Sequence, residues 1–476
     1  MVNMIVSYRL LVWTTLVLVL AGWDSSFANA GRDDARVATA AERQDWSAVQ
    51  ALIDAGNDVT VAQPDEATAL HWVSHWGYGA MVDTLVAAGA DVDAENALGV
   101  TPLWIATDHG SVEIALRLID HGADVNARLP TGESVLMTAA KHGLREVVSR
   151  LLEGGADVRL AEHEAGQTAL MWAAAGGHSD VVRLLAESGS DVRAHSTGKF
   201  TALMFAARAG DVETAQLLLD AGADLEARAI DGSTPLLIAS RSVDALAGID
   251  WRIIPETSGH EKTAHYLIDR GADLTATDRL GRTALHAAVE TRRIALAERL
   301  MTEGAVVDAR FDTPPEPLRG DYISRYSFRG ASSFWMAARD ANLDMMQALL
   351  DAGADPHMAN DYGVTPLMIA SGLGENDARR PADYRVVEAV TMLIGLGADV
   401  SAVNNAGQTA LHGAASMWED GVIEVLVGHG ADVNAEDQRG RTPLYLVEYG
   451  NANAPSESTA TLLRRLGAEE PVPPER

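Results

Sequence analysis

Apolar and polar positions follow helical spacing in short runs, and each run is closed by a glycine. The stretch that starts at Thr101 shows the full pattern. Thr101 is suited to cap a helix, and Pro102 takes the first turn, where a missing N–H costs nothing. Leu103 and Ala106 then fall on one face, and Gly110 ends the run. A second helix, predicted over about 111–121, carries Ile114, Leu116, Leu118 and Ile119, and Gly122 supplies its left-handed cap. Asp124-Val125-Asn126-Ala127 reads as an extended finger that returns the chain toward the next Gly-x-Thr. Neither helix is long enough to stand alone in water. Their apolar faces must be covered by equivalent units on either side.

The unit recurs. A threonine or serine opens a T-P-L-like motif at 68, 101, 134, 168, 201, 234, 283, 332, 365, 409 and 442, and six of the ten intervals are 33 residues. A Gly-Ala-Asp marker keeps step, from Gly89-Ala90-Asp91 through Gly122-Ala123-Asp124 and Gly155-Ala156-Asp157 to Gly430-Ala431-Asp432. Thr68-Ala69-Leu70-His71, Thr283-Ala284-Leu285-His286 and Thr409-Ala410-Leu411-His412 share a T-x-L-H form. Taken together, G-x-T-P-L-H, A-A and G-A-D-V-N-A at this period resemble the ankyrin repeat. The resemblance implies an all-α solenoid of about twelve helix-turn-helix units with β-hairpin fingers and one continuous core. Residues 31–66 lack T-P-L but keep Ala51-Leu52-Ile53-Asp54-Ala55-Gly56, which fits an N-terminal capping unit. The array is expected over 67–470, followed by a Pro-rich tail at 471–476.

Three intervals are too long: 234 to 283, 283 to 332, and 365 to 409. The first excess falls at about 242–258 and the third at about 375–384, each between the two helices of its unit. The second, about 311–329, falls in a finger. It joins Pro314, Pro315 and Pro317 to Tyr322, Arg325, Tyr326, Phe328 and Arg329. Tyrosine and arginine are enriched at binding hot spots, so these five are candidate binding residues. The other two inserts fit tolerated loops, because closure entropy grows slowly with length.

The chain has 476 residues, 47% of them hydrophobic, so core material is ample. Its formal net charge of -30 repels nucleic acid and anionic lipid. Neither nucleic acid nor a membrane is therefore expected as a partner of the processed chain. The absence of cysteine excludes disulfides, thiolate zinc sites, cysteine nucleophiles and a lipoprotein anchor. Arg9, the apolar run of residues 10–21 and Ala28-Asn29-Ala30 have the order of a secretory signal peptide spanning 1–30. The run is short for a membrane span. A bacterial periplasmic or secreted location is expected.

In the ankyrin family the two residues after the A-A pair point toward the concave face. That resemblance marks His75, Trp76, His109, Lys141, His142, Arg208, Arg241 and Arg339 as a candidate aromatic and basic binding band for an acidic or aromatic segment. Trp72, Trp104, Trp172, Phe205 and Trp335, beside the T-P-L motif, read as packing residues. His71 and His75 stand four apart, a spacing that can ligate a metal, but the resemblance gives the histidine of T-x-L-H a structural task. No metal site and no cofactor is expected. G-x-S-x-G, G-x-x-x-x-G-K-[ST], H-E-x-x-H and a strand-to-helix G-x-G-x-x-G are all missing. The expected function is a non-catalytic scaffold that binds a protein partner. The alternatives are an accessory or inhibitory subunit of a secreted enzyme, or a sensor of a small molecule or peptide. Deleting residues 312–327 should leave the circular dichroism spectrum and the melting temperature essentially unchanged and weaken partner capture. Undiminished capture would exclude a binding role for the finger insert.

Overall fold

The computed structural model describes residues 35–241, 259–311, 329–373, 383–450 and 456–472. The signal segment, the 242–258 insert, Tyr322, Arg325, Tyr326 and Phe328, and the end of the tail lie outside the described residues. The described residues form 24 helices in pairs, from Arg36–Glu42 with Trp46–Asp54 to Pro443–Tyr449 with Glu457–Arg465. They fall in two compact units, Met1–Thr197 with five pairs and Gly198–Arg476 with seven.

Within the first unit, first helices stack in series: Ala69–Trp76 on Pro102–Asp108, that helix on Val135–Lys141, and Val135–Lys141 on Ala169–Gly176. Second helices form a parallel row, Ala80–Ala87 against Val112–Asp120 against Arg145–Glu153. The second unit repeats both rows. Leu103, Ala106, Ile114 and Leu118 are buried, as their spacing requires, whereas Leu116 and Ile119 are half-buried. Burying a leucine of this kind contributes about 1.5–3 kcal/mol. Thr101 caps its helix by accepting the Trp104 N–H, and Gly122 takes a φ of 90°, where a Cβ would be strained.

The fingers depart from β-hairpin geometry. Among the described residues they hold only isolated antiparallel bridges, Arg128 with Ser134, Ala161 with Thr168, and Arg310 with Ser332. Side chains have taken over the backbone N–H groups that a ladder would use. Asn96 Oδ1 accepts from Leu98 and Val100, and the Glu162 carboxylate accepts from Glu164, Ala165 and Gln167. Successive fingers are then joined across the stack. The Asp124 N–H donates to Asp93 Oδ1 (2.7 Å) and the Asp157 N–H to Asn126 Oδ1 (2.8 Å). In the second unit the Asp273 N–H donates to Glu226 and the Glu469 N–H to Asn434. Asn126 and Asn434 also donate, to the Gly155 and Gly467 carbonyls. This two-way bond explains the asparagine of the G-A-D-V-N-A motif.

Two of the three T-x-L-H histidines, His71 and His412, are a second tie between repeats. His71 Nδ1 accepts the Thr68 N–H (3.1 Å), while Nε2 donates to the Val100 carbonyl of the next finger (2.9 Å). His412 repeats this with Thr409 and the Arg441 carbonyl. Trp335 occupies the same position and reaches the Val364 carbonyl with its indole N–H (2.9 Å). Both ring nitrogens of His71 are thus engaged, which accounts for its place in the motif without a metal. Phe205 and Trp335 are core, as their place beside the motif predicts, while Trp72, Trp104 and Trp172 are half-buried.

His286 is fully buried against Phe311, with ring centroids 4.5 Å apart, and burial pushes its imidazole down to about 4. A histidine with a lowered folded pKa stabilises the fold while neutral. Its contribution is complete above 6.5 and is lost as pH falls toward about 4. The full loss amounts to about 3 kcal/mol. Urea unfolding of the second unit's signal should show stability falling between pH 7 and 4, with a shallower fall in His286→Leu. Identical pH slopes for the two proteins would refute this assignment.

Candidate functional site

The first unit gathers aromatic rings where the first helices end. Trp72, His75 and Trp76 lie on one helix, and the His75 ring meets Trp76 at 4.5 Å, Trp72 at 5.8 Å and His109 of the next repeat at 4.8 Å. Trp72 and Trp76 stack at 6.5 Å. Trp46, at the start of the preceding repeat's second helix, stacks on Tyr78 at 4.7 Å with ring planes 7° apart. Trp76 and Tyr78 remain 42% and 40% exposed, large values for such rings.

Polar bonds hold this surface in place. The Trp72 indole N–H donates to Gln63 Oε1 (2.7 Å), and Gln63 Nε2 donates to the Glu42 carboxylate (2.7 Å). The Trp76 indole N–H donates to the Glu42 carbonyl (3.2 Å), and His109 Nδ1 to the His75 carbonyl (3.2 Å). Burial, then the neighbouring His109, holds the His75 imidazole below its ordinary pKa.

The band of candidate residues continues along the row, but its cations are answered locally. Lys141 Nζ sits 4.8 Å from the ring centre of Trp172, and His142 Nε2 is 3.2 Å from Asp108 Oδ1. The Lys141 charge faces Glu133, whose carboxyl is raised above its usual range by burial. In the second unit Arg208 lies over Phe205 at 4.9 Å, Arg241 stands 3.6 Å from Asp278, and Arg339 is paired with Asp340 at 2.8 Å. The structure therefore brings together His75, Trp76 and His109. It places Lys141 and His142 farther along the same row and the arginines in the other unit. Trp46, Tyr78, Gln63 and Glu42 were not among the sequence candidates. Trp46 and Tyr78 fall outside the A-A motif, and only the pairing of successive repeats makes them neighbours.

The base of the finger insert is built like an ordinary finger. The Phe311 N–H donates to the Ala331 carbonyl (3.1 Å) and the Gly330 N–H to the Phe311 carbonyl (2.8 Å), as Asn96 does with Val100 and Gly99. Asp361 accepts from Arg310 (2.9 Å) and pairs with Arg329 (3.2 Å), so Arg329 braces this base. The other two inserts interrupt helix pairs: one pair is Pro235–Arg241 with Gly259–Asp269, the other Pro366–Ala370 with Asp383–Gly395. Among the described residues there is no group of three or more His, Asp or Glu able to hold a metal, and no helix is long and apolar enough to cross a membrane.

Family comparison agrees with this architecture. The family described as ankyrin repeats (3 copies) matches residues 37–129, 127–196 and 382–464, more than half of the chain. The chain belongs to the ankyrin-repeat family. Two further ankyrin descriptions, ankyrin repeats (many copies) and ankyrin repeat, match 249–300 with 334–376 and 199–230. No curated protein sequence matches the chain. Among solved structures, the ankyrin repeat domain of human ASB11 is 26% identical, with 50% of this chain and 98% of that chain covered and a TM-score of 0.41. Ankyrin repeats in general are protein-interaction modules, and that coarse role extends to this array.

The Lys141–Trp172 contact gives a local test. Lys141→Met should cost the first unit about 0.5–1 kcal/mol and alter the tryptophan emission. Unchanged emission and an unchanged urea midpoint would show the contact to be energetically idle.

Proposed function

We propose that this ankyrin-repeat chain is a non-catalytic scaffold, exported to the periplasm or beyond, that binds a protein partner on the first-helix ends of its first unit. The observation that carries the reading is an aromatic surface in which Trp76 and Tyr78 are exposed and Trp72 and Trp46 are half-buried beside them. Large rings with little conformational freedom are costly to leave in water and contribute strongly to interfaces. The bonds to Gln63 and Glu42 hold two of these rings ready for contact, which lowers the ordering cost of binding. Export is supported by Arg9, the apolar run of residues 10–21 and Ala28-Asn29-Ala30. The finger insert, with Tyr322, Arg325, Tyr326 and Phe328, is a second contact surface in this reading, and Arg329 serves its base.

The test is capture from periplasmic and secreted extract of the source cells, using the chain from Gly31 onward. A protein enriched by the intact chain and lost with Trp76→Ala/Tyr78→Ala is the expected result. Enrichment that is indifferent to this double substitution would overturn the assigned surface, and the absence of any enriched protein would overturn the scaffold reading.

A further inference from the structure

The first-unit surface joins two properties that point to one kind of partner. Around the exposed rings, residues 44–116 contain no lysine or arginine. The same stretch carries Asp45, Asp54, Asp58, Asp65, Glu66, Asp83, Asp91, Asp93, Glu95, Asp108 and Glu113. Several carboxylates lie on the elements that carry the rings or their hydrogen-bond partners. Asp65 and the exposed Glu66 lie on the finger that carries Gln63, the partner of Trp72. Asp108 ends the helix that precedes His109. Glu42 is tied to Gln63 and, through its carbonyl, to Trp76. Arg43 follows Glu42 in the chain, and the His75 imidazole beside the rings is held toward its neutral form by burial and by His109. Lys141, farther along the row, is already placed over Trp172.

Aromatic faces attract cations through the ring quadrupole, tryptophan most strongly. Arg117 answers Asp83 and Glu113, and the remaining carboxylates still outnumber the cations; such a surplus steers basic ligands inward and repels acidic ones. We propose that the Trp46, Trp72, Trp76 and Tyr78 surface takes a cationic segment of its partner, with arginine or lysine side chains seated on the rings and answered by Asp65 and Glu66. This rests on the scaffold reading and adds the chemistry of the partner. It differs from the acidic segment expected from the basic band, two of whose cations, Arg241 and Arg339, pair with Asp278 and Asp340.

The test is isothermal titration of the chain from Gly31 onward with three short synthetic peptides of Arg/Gly, Lys/Gly and Glu/Gly repeats, and a neutral Gln/Gly peptide. Both basic peptides should bind, the arginine peptide more tightly, with affinity that weakens as salt rises. Trp76→Ala/Tyr78→Ala should reduce that affinity by about tenfold or more. Trp76→Phe, which keeps a packed ring, should give a smaller loss. Asp65→Asn/Glu66→Gln leaves the rings untouched and should lower both the affinity and its salt dependence. Asn at 65 keeps the oxygen that accepts the Ala67 N–H, so the finger should stay folded. Equal or tighter binding of the acidic or neutral peptide would overturn the proposal, as would failure of both basic peptides to bind at low salt. Either result leaves the scaffold reading to stand or fall on the capture experiment, where loss with Trp76→Ala/Tyr78→Ala is read independently of charge.

Discussion

Each finger presents backbone N–H groups to acceptors on the neighbouring repeat, and pairing them organises the stack. These bonds lie at the surface, and each contributes about 0.5–1.5 kcal/mol net. The chain meets the need with side chains placed two residues after the Gly-Ala-Asp aspartate, as Asp93 does for Asp124 and Asn126 for Asp157. Finger tips add backbone bonds of the same sense, His163 N–H to Thr131, Thr197 to Ala165, and Arg279 to Asp231. Pro130 interrupts this row because it has no N–H to give. Ion pairs between successive second helices, such as Arg299 with Asp269 (2.7 Å) and Arg270 with Asp220 (2.9 Å), run alongside. Exposed as they are, these pairs contribute little each. Directional bonds from one repeat to the next set the register, and apolar burial supplies most of the stability.

Function follows from the same arrangement. Because a repeat contacts its neighbours, any surface wider than one repeat is assembled from side chains about 33 residues apart. Trp46 with Tyr78, and His75 with His109, are pairs of this kind. The stack fixes their spacing before a partner arrives. An insertion spliced into a finger tip leaves the register intact, since Phe311 and Gly330 reproduce the bonds of Asn96 and Gly99. The array therefore tolerates added surface without losing its stack.

Much of the fold was legible in the sequence because period and capping are local properties. Thr101, Pro102, Gly110 and Gly122 stand where helices begin and end, and His71 does the structural task that the T-x-L-H motif implies. The fingers were less legible. The ankyrin resemblance implied hairpins, but Asn96 and Glu162 spend their oxygens on turn N–H groups and leave isolated bridges. The candidate site was legible in part. Counting from the A-A pair led to His75 and Trp76, yet it missed Trp46 and Tyr78, whose contact depends on how one helix-turn abuts the next. Charge was the hardest property to read, because Arg241 and Arg339 look free in sequence and are paired with Asp278 and Asp340 only in three dimensions, where Lys141 also comes to lie over Trp172.

The central claim is that repeats are held in register by bonds from each finger to the next, and amide hydrogen exchange on Asn126→Ala tests it most directly. The account predicts exchange about tenfold faster at Asp157 and in the two fingers that Asn126 joins. Protection in the Arg36–Glu42 and Trp46–Asp54 helices should be unchanged. Unaltered exchange at Asp157, or uniform acceleration through the whole first unit, would contradict it.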